Sequence, residues 1–285
     1  MTLEDTICKF KEDVEKELET GKLSFPSSFN IIERLTQLLE DENSALKQYS
    51  DLVQAEPVLL AKVLRMANTM GRTGAGKVTA SPFTAIQRIG LKALSCLIYL
   101  NAMEYAKSEI TDRDKRWMMI SIWKHSIDVG CWSYCFSQET AKEDPDTAML
   151  GGVMSNIGHF FLLYKLSKYP AIEAYSETFD SIMNEYTYRV TQQLLDIFIL
   201  PAEVITAFNT DTTNMDVWPP SCLSHLVCLG KVTTELQNPL IHASETVKKK
   251  LFLQNLDLVE ARKYNRALQH VAKDRRELYA IFCQE

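Results

Sequence analysis

EPVLLAKVLRMANTMGRTGAGKVTASPFTAIQRIG, residues 56–90, is the stretch on which the fold turns. Its centre, GRTGAGKV at residues 71–78, nearly spells the phosphate-binding loop G-x-x-x-x-G-K-[ST], with Gly71, Gly74, Gly76 and Lys77 in place. That loop needs a strand before it, a helix after it, and a Ser or Thr behind the lysine to hold magnesium. Here the preceding residues are helical in pattern. Leu60, Val63, Leu64 and Ala67 recur at i, i+3, i+4 and i+7, behind a Pro57 suited to a first helical turn. Val78 follows the lysine, Thr79 is one residue out of register, and Pro82 stands where the phosphate-binding helix should already run. The glycines are read as a flexible loop that reaches positive φ, and the phosphate motif as a decoy.

Working outward, the same period recurs. Residues 4–20 form a charged amphipathic helix stopped by Gly21, and NIIERLTQLLED places Ile31, Ile32, Leu35, Leu38 and Leu39 on one face. A short helix over 84–89 stops at Gly90, and a long apolar one covers 91–107. Further helices are predicted over 116–140, from about Pro145 onward as one element, over 177–198, and after Pro201. Residues 211–221 are a turn-rich break, and the tail to residue 285 gives two or three more helices. Period-two alternation, hairpin signals and solenoid repeats are lacking. The expected fold is all-α. Its divisions are an N-terminal amphipathic helix (1–22), a helical domain (23–218) and a C-terminal helical extension packed on it (219–285).

Composition narrows the partners. A net charge of −6 over 285 residues argues against general nucleic-acid binding. The first residues are too charged for a secretory signal, and the apolar run 91–106 is short for a membrane span and contains Asn101 and Glu104. Seven cysteines, an odd number without a C-x-x-C pair, fit reduced thiols. A soluble cytoplasmic protein is expected, with no membrane contact.

Phe25-Pro26, Glu56-Pro57, Leu64-Arg65, Ala67-Asn68-Thr69, Ala85-Ile86 and Ile89-Gly90 follow one another in a set order. Behind them come Trp123-Lys124-His125-Ser126, GVMSNIG at 152–158, Leu200-Pro201 and Ala207-Phe208. This order resembles the HDOD family, the HD-related output domains of bacterial signalling proteins, over residues 24–212. The resemblance implies an HD-like helical fold related to the HD phosphohydrolases, whose His and Asp ligands hold metals that activate water. Of that ligand set only His125 remains. The His-Asp doublet falls on Ser155-Asn156, the later histidine near Thr187, and the paired histidines near Asp211-Thr212. Serine and asparagine are weak neutral ligands.

No catalytic residue, metal or cofactor is therefore expected. His125, Ser155, Asn156 and His159 mark a vestigial site, His159 sharing a helix face with Ser155. The preferred reading gives His125 a hydrogen bond in the core and leaves His159 partly solvated. Cys131 and Cys135 read as buried thiols rather than zinc ligands, and Trp117, Trp123, Trp132, Tyr134 and Phe136 as core. The basic residues of the tail, Lys248 to Lys250, Arg262, Lys263, Arg266, Arg275 and Arg276, read as a solvated face. The acidic N-terminal helix is a candidate to dock on that tail, as a clasp or a homodimer contact. The functional expectation is a non-catalytic regulatory protein with a protein partner in a bacterial signalling pathway. The alternatives are a degenerate HD-type phosphohydrolase or a nucleotide-binding sensor.

Overall fold

Helix starts are written into the chain by a capping side chain followed by proline. Ser81 and Asp144 each accept a hydrogen bond from the third backbone N–H of their helix, with Pro82 and Pro145 next in line. Asp112, Ser176 and Asp257 cap in the same way, and Thr2 and Asp5 close a reciprocal capping box. A computed structural model gives the structure of residues 2–70, 78–198, 200–209, 218–241 and 251–283. Its helices are α1 (Leu3–Thr20), α2 (Asn30–Glu40), α3 (Leu46–Gln54), α4 (Pro57–Met70), α5 (Pro82–Ser108) and α6 (Arg113–Thr140). They continue with α7 (Pro145–Met154), α8 (Ile157–Leu166), α9 (Glu177–Ile197), α10 (Ala202–Asn209), α11 (Leu223–Thr233) and α12 (Leu258–Phe282). A 3-10 turn, Ser27–Phe29, leads into α2. Strands are absent among the described residues.

Most expected boundaries stand. Gly21 ends α1 at φ 67°, and Gly90 breaks α5 at φ 78°, a conformation that side-chain-bearing residues rarely adopt. Two differ. α3 fills residues the sequence reading left without an element. The single helix expected from Pro145 is two, α7 and α8, separated at Ser155–Asn156, where Asn156 leaves helical geometry at ψ 17°. The glycine-rich stretch read as a decoy, Gly71 to Lys77, lies outside the described residues. Asn68, at the end of α4, forms two hydrogen bonds with the Thr79 backbone across it, at 2.8 and 2.9 Å.

α6 is the axis. α7, α11 and α12 pack on it, and α5 links it to the α2–α4 layer. α5 is long and apolar enough to cross a membrane by length and composition, yet it lies mostly buried among the other helices. The closest crossings are made by glycine. A Cβ on Gly152 would stand 2.5 Å from the Gly130 Cα, and one on Gly158 would stand 2.8 Å from the Thr187 carbonyl oxygen. The glycines of the GVMSNIG stretch thus set how closely α7 meets α6 and α8 meets α9.

α1 does not reach the basic tail. It lies on α8 and α9, where Phe10 meets Tyr169 edge-on at 5.1 Å and Arg189 grips Glu15 with both guanidinium nitrogens at 2.6 and 2.7 Å. Lys11–Glu185, Lys165–Glu17 and Tyr169–Asp13 complete the seam. The acidic side chains of α1 find cations on α8 and α9, so within the chain this docking takes the place of the expected clasp on the tail.

Candidate functional site

His125 lies at the middle of α6, fully buried. Its ring Nδ1 faces the side-chain amide of Asn156 at 3.1 Å. The same amide nitrogen donates to Ser126 Oγ at 3.0 Å. On its other side Asn156 accepts, at 3.0 Å, from the amide of Asn238, whose own oxygen accepts from Leu240 N. His125, Ser126, Asn156 and Asn238 are all buried, so each bond forms away from competing water. The break between α7 and α8 aims the Asn156 amide at α6.

Of the four positions anticipated, His125, Ser155 and Asn156 come together, the Ser155 hydroxyl lying 3.4 Å from the Asn156 amide. His159, half-buried one turn into α8, stands close enough for the His125 ring to help depress its pKa. Burial, then the Lys231 ammonium, then His125 lower that pKa to about 4. The imidazole is therefore neutral at physiological pH. Thr187 faces the same crossing from α9 but spends its hydroxyl on the Met183 carbonyl, at 2.6 Å. Asp211 and Thr212 lie outside the described residues.

Sequence reasoning missed three contributors. Ser126 stands in the quoted Trp-Lys-His-Ser and was passed over. Lys231 and Asn238 come from the C-terminal extension, where no local pattern marks them. The extension supplies a second buried cluster three residues further along α6. Asp128, with no exposed surface, pairs with Arg275 of α12 and accepts from Thr234 Oγ1 at 2.6 Å. The Trp132 and Tyr279 rings flank the guanidinium at 5.3 and 5.0 Å. Arg275 therefore belongs to the core and not to a solvated face. Arg262, Lys263, Arg266 and Arg276 are exposed, and Lys248 to Lys250 lie outside the described residues.

The remaining candidates resolve plainly. Burial pushes the Cys131 thiol well up and the Cys135 thiol to about 12, so both stay protonated. Trp123, Trp132, Tyr134 and Phe136 are core, whereas Trp117 is half exposed, a departure from the expected apolar stripe. Among the described residues, no group of three or more His, Cys, Asp or Glu side chains converges as a metal cluster.

An all-helical HD-like fold whose central histidine faces an asparagine defines the class. The HDOD domain model matches residues 25–207, and the chain belongs to the HDOD family. Solved structures share the fold. A Shewanella amazonensis protein, provisionally named a metal-dependent phosphohydrolase, aligns at TM-score 0.69 and 18% identity over 98% of this chain and 100% of its own. An HDOD domain protein from Geobacter sulfurreducens aligns at TM-score 0.55 and 16% identity, over 95% of this chain and 100% of its own. A Marinobacter aquaeolei protein, provisionally named a signal transduction protein, aligns at TM-score 0.51 and 20% identity, covering 95% of this chain and 61% of its own. No curated protein matches the sequence.

Proposed function

We propose that this chain is a non-catalytic regulatory HDOD protein that acts through contacts with a protein partner in a bacterial signalling pathway. The observation that carries the reading is the Asn156 amide against His125 Nδ1. A hydrolytic metal centre needs anionic oxygen and imidazole donors around one point. Here the second position is a neutral amide already engaged by Ser126 and Asn238. Opening it to a cation would strip several buried hydrogen bonds. Family membership supports the signalling role, and the Marinobacter relative carries a signalling name.

The test is to load the purified chain with manganese or iron(II), desalt it, quantify metal, and assay bis-p-nitrophenyl phosphate. Substoichiometric metal and hydrolysis at the blank rate are expected, in wild type and His125→Ala alike. Stoichiometric metal that is lost in His125→Ala would overturn the reading in favour of a phosphohydrolase. Affinity capture from a bacterial lysate, with charge-reversed surface variants as controls, addresses the partner. A partner retained equally by every variant counts against recognition through charged surfaces.

A further inference from the structure

A cleft of about 560 Å³ opens where α6 ends against α12. Lys263, Arg266 and His270 line it from one face of α12, spaced three and four residues apart, and Lys142 lines it from beyond the end of α6. Among the described residues of the lining the only carboxylate is Glu139, held by His270 Nδ1 at 2.7 Å. Among the described lining residues, three permanent cations less one carboxylate leave a surplus of two positive charges, on a chain whose net charge is −6. The remaining wall is formed by Trp218, Pro219 and Ala267 together with Thr140, whose hydroxyl donates to the Phe136 carbonyl at 2.7 Å. Phe136 and Tyr264 brace the Trp218 indole edge-on, at 5.9 and 5.4 Å.

We propose that this cleft binds a small organic phosphate carrying a flat apolar group. The volume falls within the range of small-molecule sites, roughly 300–1,000 Å³. A phosphate monoester carries about −1.5 to −2 charges at neutral pH, matching the surplus of the lining. The Arg266 guanidinium offers a fork for two phosphate oxygens, and the two lysines act as point charges beside it. The flat group lies on exposed Pro219 and the small uncovered edge of Trp218, whose indole is otherwise buried. Glu139 stands about 20 Å along α6 from His125, at 1.5 Å per residue. The site therefore does not depend on the role proposed for the histidine pocket.

The test is calorimetric titration of the full chain with guanosine 5′-monophosphate, ribose 5-phosphate, guanosine and citrate. The nucleotide should bind best. Ribose 5-phosphate should be weaker, and guanosine and citrate weaker than the nucleotide by about tenfold or more. Lys263→Glu/Arg266→Glu, at exposed positions, should lose about tenfold or more with an unchanged melting temperature, whereas Arg113→Glu/Arg116→Glu should bind as wild type does. Three results would overturn the proposal. They are equal nucleotide binding by wild type and the Lys263/Arg266 variant, citrate binding as tightly as the nucleotide, and no heat with any phosphate up to about 10 mM.

Discussion

α6 carries two buried polar clusters less than one turn apart, built on opposite principles. His125 and Ser126 meet Asn156 and Asn238 in a hydrogen-bond network without a carboxylate, ammonium or guanidinium. Asp128 meets Arg275 and Thr234 in an ionic one. Each cluster ties the family domain to the C-terminal extension, which supplies Asn238, Thr234 and Arg275. Their failure modes differ because an unpaired buried charge costs far more than an unpaired amide. The neutral cluster contains His125 and Asn156, two of the positions where the family resemblance led to the expectation of a vestigial site. The ionic cluster fastens α12 beside it.

The largest expected effect comes from breaking the ionic cluster on one side. Arg275→Ala leaves the Asp128 carboxylate buried with only Thr234 to satisfy it, and should cost about 3–5 kcal/mol in urea unfolding. Asp128→Leu/Arg275→Met removes both charges and should recover most of that loss. A double variant no better than Arg275→Ala would show that packing by the Arg275 stem, not charge, holds α12.

The neutral cluster should yield less. Asn156→Ala orphans the Asn238 amide and one side of His125, at an expected cost of about 2–3 kcal/mol. Asn156→Asp sharpens the contrast, because it places a carboxylate beside His125 but brings no second imidazole. It should be destabilising near neutral pH and should hold no stoichiometric manganese after desalting. Retention of metal by Asn156→Asp would mean that one side chain separates this pocket from a metal site.

How much of this contrast was legible in the sequence depends on the range of each interaction. Helices announced themselves through local signals: Ser81-Pro82 and Asp144-Pro145 caps, the Gly21 stop, the break at Gly90. His125 and Asn156 were found because they stand in ordered motifs. The split between α7 and α8 was not, because it is fixed by an amide reaching across to α6, and nothing in GVMSNIG itself breaks a helix. α3 escaped because LKQYSDLVQ carries no glycine or proline and only a short apolar stripe. Asn238 and Arg275 find their partners 82 and more than 100 residues away in sequence, and composition around them reads as ordinary loop and charged helix. The docking of α1 was misjudged for the same reason. Bulk charge pointed to the tail, whereas the complementary cations sit singly, as Lys165 on α8 and Arg189 on α9.

A smaller effect tests the electrostatics of the histidine pocket. The His159 pKa is lowered from 6.5 to about 4, chiefly by burial. Between those values the unfolded chain binds a proton that the folded chain refuses, so stability falls as pH drops from about 6.5 to about 4. After allowance for its partial exposure, His159 should account for about 1–2 kcal/mol of that fall. His159→Gln should flatten the profile in this window and leave stability at pH 8 nearly unchanged. An unchanged slope would place the acid sensitivity elsewhere.

The smallest expected effect lies on the surface seam of α1, the counterpart of the buried Asp128–Arg275 pair. Arg189 and Glu15 make a better-formed fork, with two bonds of 2.6 and 2.7 Å, and the pair holds the Glu15 carboxyl below its usual range. Yet both side chains are more than a third exposed, at 47% and 37%, so water and salt screen them. Glu15→Gln should therefore cost only about 0.5 kcal/mol, and that cost should vanish near 1 M salt, where the Debye length is about 3 Å. Arg275→Ala should keep its penalty in the same salt, since Asp128 has no exposed surface for ions to reach. If the two penalties fell together with added salt, the Asp128 cluster would have to be wet, and burial would not be what separates the two pairs.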